Sequence, residues 1–432
     1  MLVRRLAADS LFRNSGFLMA TTAVTALTGY VYWILAAHLY PAHDIGIASS
    51  LVSVMSLAAN AATLGVGSTM VQELPRQRTD RAWSLTITAG LVACTSAGAF
   101  AGIIAALILP RLSGEFATAW LHAPYGILLI ISVPLWSMSL LVDQVFVAER
   151  AAGHVLTRNT VFAFAKIALL ALPFALIQMG AVSVFMTWIL ANAASVLGAS
   201  VVVVRWLGHA FIPTLQGIGT QLRSMLTSLV GQHLISVGGL VPVYLLSVLV
   251  VARLTAADAG YFYTTWMLGA MFFMVSNAVA TSLFAEASHN PSALGRKLRS
   301  SIKVTSLCLA PAMFVAFVAG REILSLFGPG YAQHSLILLW VLTASAIPDA
   351  VTNLYVSVLR VQKRLRAAAI LNIGMASLTI LLAWILLPVL GLLGAGVAWI
   401  LGELAGCLYA GVDLLIQRHT AQRRADEKTG CA

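Results

Sequence analysis

The sequence predicts an all-α polytopic membrane protein, with about twelve transmembrane helices in two parallel-repeat six-helix bundles. Three observations lead there. Hydrophobic residues make up 60% of the 432-residue chain and charged residues 9%, with a mean hydropathy of +0.91, whereas a soluble domain carries about 25% charged residues. Apolar runs of about 20 residues, the length a helix needs to cross a bilayer core, recur from one end of the chain to the other. A helical hairpin near the N-terminus returns in the second half at a fixed distance. The short alternating strands of a transmembrane β-barrel are absent from the pattern.

The first copy of the hairpin runs from Leu39 to Glu73. A short turn carries Leu39, Pro41, Asp44 and Gly46, and a long apolar helix closes on Gly65, Gly67 and Glu73. The second copy runs from Leu254 to Glu286 and carries Asp258 and Gly260. Asp44 and Asp258 lie 214 positions apart, as do Gly46 and Gly260, and Glu73 and Glu286 lie 213 apart. Pro134 with Pro348, Arg150 with Arg364, and Gly180-Ala181 with Gly394-Ala395 continue the offset of 214. A sustained register of this kind marks an internal duplication.

Twelve spans follow from the apolar runs, at 15–38, 45–73, 82–109, 124–148, 157–177, 181–204, 223–251, 258–286, 302–319, 334–359, 366–387 and 392–415, separated by Pro/Gly turns and charged strips. With the N-terminus inside, 22 of the 26 basic residues fall on cytoplasmic strips, Arg158, Arg296, Lys297, Arg299 and Lys303 among them. Only Arg111, Arg253 and Arg321 fall outside, and Lys166 lies within a span. Basic residues mark the cytoplasmic side, so both termini are expected there. The net charge of +11 then reads as a topology signal. Its partner is anionic lipid at the cytoplasmic face, and nucleic acid is not a partner.

An even number of helices per repeat inserts both halves the same way up, related by an axis along the membrane normal. The expected domains are an N-terminal six-helix bundle over 1–208, a cytoplasmic linker over 209–221 and a C-terminal bundle with a basic tail over 222–432. Two bundles meeting at a cleft is the arrangement that alternating access needs. Gly238-Gly239 with Pro242 interrupts the seventh span and Pro348 the tenth, which marks Gly239, Pro242 and Pro348 as hinge or gating positions, or as packing kinks.

Little in the sequence points to catalysis. The run Gly295 to Ser301 lacks the glycine spacing of a phosphate-binding loop. The longest outer loop, 110–123, is too short for an enzymatic domain. The histidines show no metal-ligand spacing, and Cys94, Cys308, Cys407 and Cys431 give no disulfide framework. A non-enzyme without cofactor or metal is expected.

The informative residues are ionisable groups inside spans, each costing about 2.5–3.5 kcal/mol at a helix centre unless it finds a partner or a wet cavity. Asp143 and Lys166 lie roughly 10 and 12 Å in from Arg150 and Arg158 at 1.5 Å per residue. Their helices are consecutive and antiparallel, so the two are expected to face each other. The pair is either structural or part of a cavity in which Lys166 lends charge to a bound diphosphate. His233, Asp349 and Glu403 fall near the midplane of the second bundle, without ionisable counterparts at 214: Asp349 falls on Leu135 and Glu403 near Ile189. They are candidates for a coupling proton or cation, for contacts with sugar hydroxyls, or for internal hydrogen bonding. Asn60 and Asn277 either line a polar cavity or bond between helices. Glu73 and Glu286 lie beside Arg76 and Lys297, as gating or surface pairs.

The stretch Leu39-Tyr-Pro-Ala-His-Asp-Ile-Gly46, followed by Leu64-Gly65-Val-Gly67-Ser-Thr-Met-Val71, resembles the opening hairpin of the polysaccharide-transport (Wzx-type oligosaccharide flippase) family. Ile323-Leu-Ser-Leu-Phe-Gly-Pro-Gly-Tyr331 and Gly391-Leu-Leu-Gly-Ala-Gly-Val397 resemble it too. The likeness covers nearly the whole chain, with structural motifs shared across the MOP superfamily of MATE exporters and lipid II flippases. It implies flipping of undecaprenyl-diphosphate-linked oligosaccharide across the bacterial plasma (inner) membrane, for O-antigen, capsule or exopolysaccharide assembly. A polysaccharide polymerase and glycosyltransferases are the implied protein partners. It also implies a cationic cavity, for which this chain offers Lys166 or the rim residues Arg13, Arg223 and Arg253. Two alternatives stand beside it. One is a cation-coupled MATE-like exporter of small molecules using Asp349 and Glu403. The other is a non-transporting membrane subunit of a polysaccharide-synthesis complex.

Overall fold

A computed structural model describes residues 10–63, 65–171, 179–207, 210–212, 214, 216–227, 230–289 and 291–429 of the chain. Among them are fifteen α-helices and no strand. In chain order they are α1 (Ser10–Leu39), α2 (Ala42–Ala62), α3 (Val66–Glu73), α4 (Asp80–Leu112), α5 (Gly114–His122), α6 (Tyr125–Ala148), α7 (Ala152–Ala171) and α8 (Ala181–Trp206). There follow α9 (Ile218–Thr227), α10 (Val230–Arg253), α11 (Ala256–His289), α12 (Leu294–Ser325), α13 (Pro329–Val361), α14 (Leu365–Leu390) and α15 (Leu392–Thr429). Among the described residues, ten helices are long and apolar enough to cross a membrane. The two remaining expected spans, 157–177 and 223–251, fall on α7 and on α9 with α10, beside residues 172–178 and 228–229, which lie outside the described set.

The chain divides into two compact units, Met1–Tyr263 and Thr264–Ala432. In the first, α4 packs on α6, α1 and α8 on α7, and α10 on α2. In the second, α15 packs on α14 and α13, and α13 on α12.

Helix α2 is the most enclosed span, with 72% of its apolar window buried. It can be so because Ser49, Ser50, Ser53 and Ser56 are small enough to let backbones approach, and all four are buried. The tightest approach is to the first turns of α11, still within the first unit. A Cβ added to Gly46 would sit 1.6 Å from the Ala256 carbonyl oxygen, and one added to Gly260 would sit 2.3 Å from that of Ala42. Ala42 and Ala256, like Gly46 and Gly260, are 214 apart, so the contact is reciprocal, as a duplication requires.

The two hairpins have diverged in detail. Gly65 takes φ 70 and separates α2 from α3. Its counterpart at 214 is Val279, whose branched side chain disfavours that left-handed backbone, and α11 runs unbroken. At the start of α11, Thr255 accepts the Asp258 amide at 3.1 Å and donates to its carboxylate at 2.7 Å, a cap that stabilises the helix start. Pro41 holds the equivalent place in the first copy.

The turn after α6 also recurs after α13. Arg150 and Lys363 take φ 54 and 59, and the Ala151 and Arg364 amides donate back to Phe146 at 2.8 Å and Leu359 at 2.9 Å. The matched pair is therefore Arg150 with Lys363, an offset of 213 rather than the expected 214. The expected interruptions are corrected as well. α10 continues through Gly239 and Pro242, and α13 continues through Pro348. Pro348 leaves the Ala344 carbonyl without an amide partner, a loss that a helix packed among neighbours tolerates, and the Cys407 thiol donates to the Pro348 carbonyl itself at 3.5 Å. Residues 110–123, expected as a loop, hold the nine-residue α5, capped by Ser113.

Gly46→Ala should lower the unfolding temperature of the purified protein by the equivalent of about 1–3 kcal/mol, since no side-chain shift relieves a clash with backbone. Gly29→Ala, at a position on α1 with nothing within 4 Å, should raise it or leave it unchanged, because alanine is the better helix former.

Candidate functional site

In the first unit the expected Asp143–Lys166 pair does not form. Asp143 is taken by Arg158, whose Nε and Nη2 donate to the two carboxylate oxygens at 2.7 and 2.6 Å. Asn159 donates to the same carboxylate at 3.1 Å. Arg158 also donates to Ser139 on α6 and, at 3.5 Å, to Ser195 on α8. It is buried, because α7 begins at Ala152 and places it almost two turns into the helix. A planar guanidinium meeting a carboxylate through two parallel bonds is the strong form of this contact, so the pair clamps α6 to α7.

Lys166, two turns further along α7, is also buried. Its ammonium lies 4.3 Å from the Trp188 ring centre and 5.0 Å from those of Tyr32 and Phe162. The rings brace one another. Trp188 contacts Tyr32, Trp33, Trp136 and Phe162 at 5.6–6.2 Å between ring centres. The Tyr32 hydroxyl lies 2.7 Å from the Thr187 hydroxyl and donates to the Val184 carbonyl at 3.1 Å. A desolvated ammonium over an aromatic face gains about 2 kcal/mol. The cage therefore holds the cation by ring faces rather than by a carboxylate.

The second unit holds the acids. Ser276 donates to the Asp349 carboxylate, and Asn353 donates to the Ser276 hydroxyl at 3.4 Å and to the Asp349 carbonyl at 3.0 Å. Thr352 donates to Glu403 at 2.6 Å and lies 2.9 Å from the Asp349 carbonyl oxygen. Asp349 and Glu403, both buried, are thus joined through Thr352 into one polar cluster of α11, α13 and α15. Trp266, Phe273 and Trp399 stack nearby on α11 and α15, with ring centres 4.8–5.8 Å apart. Among the described residues, no group of three or more His, Cys, Asp or Glu side chains could hold a metal ion.

The backbone moves the match of Glu403 from Ile189 to another residue without a charge. Gly180 and Gly391 start α8 and α15 in one unusual conformation, φ 58 with ψ −130 and φ 59 with ψ −144. Aligning the two helices on these glycines gives an offset of 211, not 214. Trp188 then matches Trp399, and Asn192 matches Glu403. Trp188 Nε1, Asn192 Oδ1 and Trp399 Nε1 are buried without hydrogen-bond partners. Each half thus presents a tryptophan and, one turn on, a polar side chain, with the acid in the second half only.

Other expected residues fall elsewhere. Asn60 donates to the Ser56 carbonyl of its own helix at 2.8 Å. Asn277 is exposed and accepts from Thr281 at 3.3 Å. Pro242 is buried, and Gly239 has no atom within 4 Å of an added Cβ. The side chains of His233 and Arg13, and Cys431, lie outside the described set. Glu73 pairs with Arg76 at 3.0 Å and Glu286 with Lys297 at 3.6 Å. Sequence reading missed Ser276, Thr352 and the clamp of Arg364 on Asp413, whose two bonds are both 2.7 Å. For Arg158, the signal was present as its depth inside an apolar helix.

Arg158→Ala strands Asp143 in the bundle and should cost about 3–5 kcal/mol, because an unpaired buried charge is worse than no pair. Arg158→Ala combined with Asp143→Ala should recover a large part of the loss. Thermal unfolding of both variants in detergent checks this.

No curated protein matches the sequence. Three solved structures show the fold. An inward-facing multidrug resistance MATE family transporter of the MOP superfamily is 12% identical with a TM-score of 0.69, over 94% of this chain and 98% of that one. Lipid II flippase MurJ in an inward closed conformation is 12% identical with a TM-score of 0.72, over 92% and 87%. MATE in complex with MaL6 is 16% identical with a TM-score of 0.61, over 96% of each. The family profile described as polysaccharide biosynthesis protein matches residues 34–336. The chain is therefore a multi-pass membrane protein of the polysaccharide biosynthesis protein family, built on the fold of the MATE and MurJ transporters of the MOP superfamily.

Proposed function

We propose that this protein is a transporter, not an enzyme, that flips polyprenyl-diphosphate-linked oligosaccharide across the bacterial plasma membrane by alternating access, with both termini cytoplasmic. The product would feed O-antigen, capsule or exopolysaccharide assembly, beside glycosyltransferases and a polymerase. The observation that carries the reading is the match to the polysaccharide biosynthesis protein family over residues 34–336. A polar, phosphate-bearing head cannot cross hydrocarbon unassisted, because removing its charges from water is too costly.

Lys166 is the residue we assign to the diphosphate. Arg158 is spent on Asp143, whereas the Lys166 ammonium lies against ring faces. Its charge thus remains available to an anion. Asn60, Asn277 and His233 are proposed to meet the sugar, Asp143 to set the position of α7 through Arg158, and Gly239, Pro242 and Pro348 to absorb bending. The halves that move are proposed to be 1–208 and 222–432, joined by 209–221.

One observation favours a second reading. Asp349 and Glu403 form a buried two-carboxylate cluster, which suits a coupling proton or cation. The same cluster would serve a cation-coupled exporter of the MATE kind.

In proteoliposomes the wild type should move a fluorescent lipid-linked oligosaccharide. Lys166→Ala should slow it by roughly tenfold or more through loss of a charge-assisted contact, with partial recovery in Lys166→Arg. Equal rates in all three would remove Lys166 from the site. Asp349→Asn and Glu403→Gln should leave glycan binding intact and abolish dependence on a proton or sodium gradient. Gradient-driven movement of a cationic drug, without movement of the glycan, would decide for the exporter.

A further inference from the structure

Helix α12 carries a basic face to which the proposed transport assigns no role. Arg296, Arg299, Ser300 and Lys303 are spaced three, four and seven residues apart, so they share one face. They line a hollow of about 540 Å³, beside a second of about 590 Å³ that shares Arg296 and Ser300. Lys297 turns away to Glu286. Arg296, Arg299 and Lys303 are exposed, and among the described residues no acid pairs with them. The first turn of α12 contains no acid at all. Cations crowded on one helix face repel one another, and Arg296 in the first turn also meets the positive end of the helix dipole, so the arrangement favours an external anion.

The continuation of the same face identifies that anion. Further along lie Leu307, Phe314 and Val318, which are 75%, 68% and 66% exposed. Only 17% of the apolar window of α12 is buried. From Arg296 to Lys303 the rise is ~10 Å, and from Leu307 to Val318 ~16 Å. The first distance suits the interfacial layer, and the second about half of a ~30 Å hydrocarbon core. We propose that this face of α12 binds one anionic phospholipid of the cytoplasmic leaflet, its phosphate over Arg296, Arg299 and Lys303 and an acyl chain along Leu307, Phe314 and Val318. A polyprenyl chain is far longer than this stripe. The proposal rests on the orientation given under Proposed function, but not on transport.

Full-length protein in detergent, titrated with palmitoyl-oleoyl phosphatidylglycerol or phosphatidylcholine and read by native mass spectrometry, tests it. The wild type should retain one phosphatidylglycerol selectively. A variant with Arg296→Gln, Arg299→Gln and Lys303→Gln should lose affinity on the order of a hundredfold at low salt, at roughly fivefold per basic residue. Removing as many charges from the tail, by Arg418→Gln, Arg423→Gln and Arg424→Gln, should change it little. Arg296→Lys with Arg299→Lys keeps the charge and should keep the lipid, which separates lost binding from lost folding. Unchanged retention in the triple variant overturns the proposal. So does displacement of phosphatidylglycerol from the wild type by an equimolar polyprenyl diphosphate, which would assign the face to the transported lipid. Selective retention by a protein that moves no glycan in proteoliposomes leaves the inference standing and removes the transport reading alone.

Discussion

Hydrocarbon supplies no counter-charge, so every ionisable group inside these bundles must be settled by its own neighbours. The chain settles them in three ways. Arg158 and Asp143 cancel through two short bonds. Lys166 is held by ring faces. Asp349 and Glu403 are held by the Ser276 and Thr352 hydroxyls of α11 and α13, with the Asn353 amide on Ser276. These solutions differ in what they leave over. The first consumes both charges and fixes α6 on α7. The second keeps a cation unspent, and the third keeps two carboxylates close together. The charges proposed to meet the diphosphate and a coupling ion are those that the scaffold has not already used.

The scaffold is a duplication that has drifted. Its glycine crossing keeps the offset of 214, because a carbonyl oxygen within 2.3 Å of a would-be Cβ admits no side chain on either copy. The turn at Arg150 and Lys363 has moved to 213 and the helix starts at Gly180 and Gly391 to 211. Where packing is tightest the register held. Toward the ends of the repeat, where turns tolerate insertion, it slipped.

That slip explains part of what the sequence could not reveal. A constant offset of 214 sets Glu403 beside Ile189, while the helix starts match it with Asn192. Depth along a helix was legible, and it set Asp143 level with Lys166. The face of the helix was not, and the face decides the partner. Arg158 lies just under two turns inside α7 and reaches Asp143 first, whereas the expected start of that span at 157 had left it at the surface. Two long apolar elements were legible almost to the residue, 124–148 as Tyr125–Ala148 and 181–204 as Ala181–Trp206, whereas 302–319 became the longer Leu294–Ser325, whose first turns are basic. The nine-residue α5 is too short to declare a period, and hydroxyl partners such as Ser276 and Thr352 look like any other small residue of a packed helix.

The proposed transport fixes one direction for the lipid-linked glycan, from the cytoplasmic to the outer leaflet. The most direct measurement is its sidedness in cells that lack this chain, read by extracting polyprenyl-linked repeat units before and after labelling the outer leaflet of intact cells. If the protein flips the glycan outward, complete repeat units should accumulate on the cytoplasmic side, inaccessible to the label, with loss of surface polymer. Normal surface polysaccharide, or complete repeat units exposed on the outer leaflet, would contradict it.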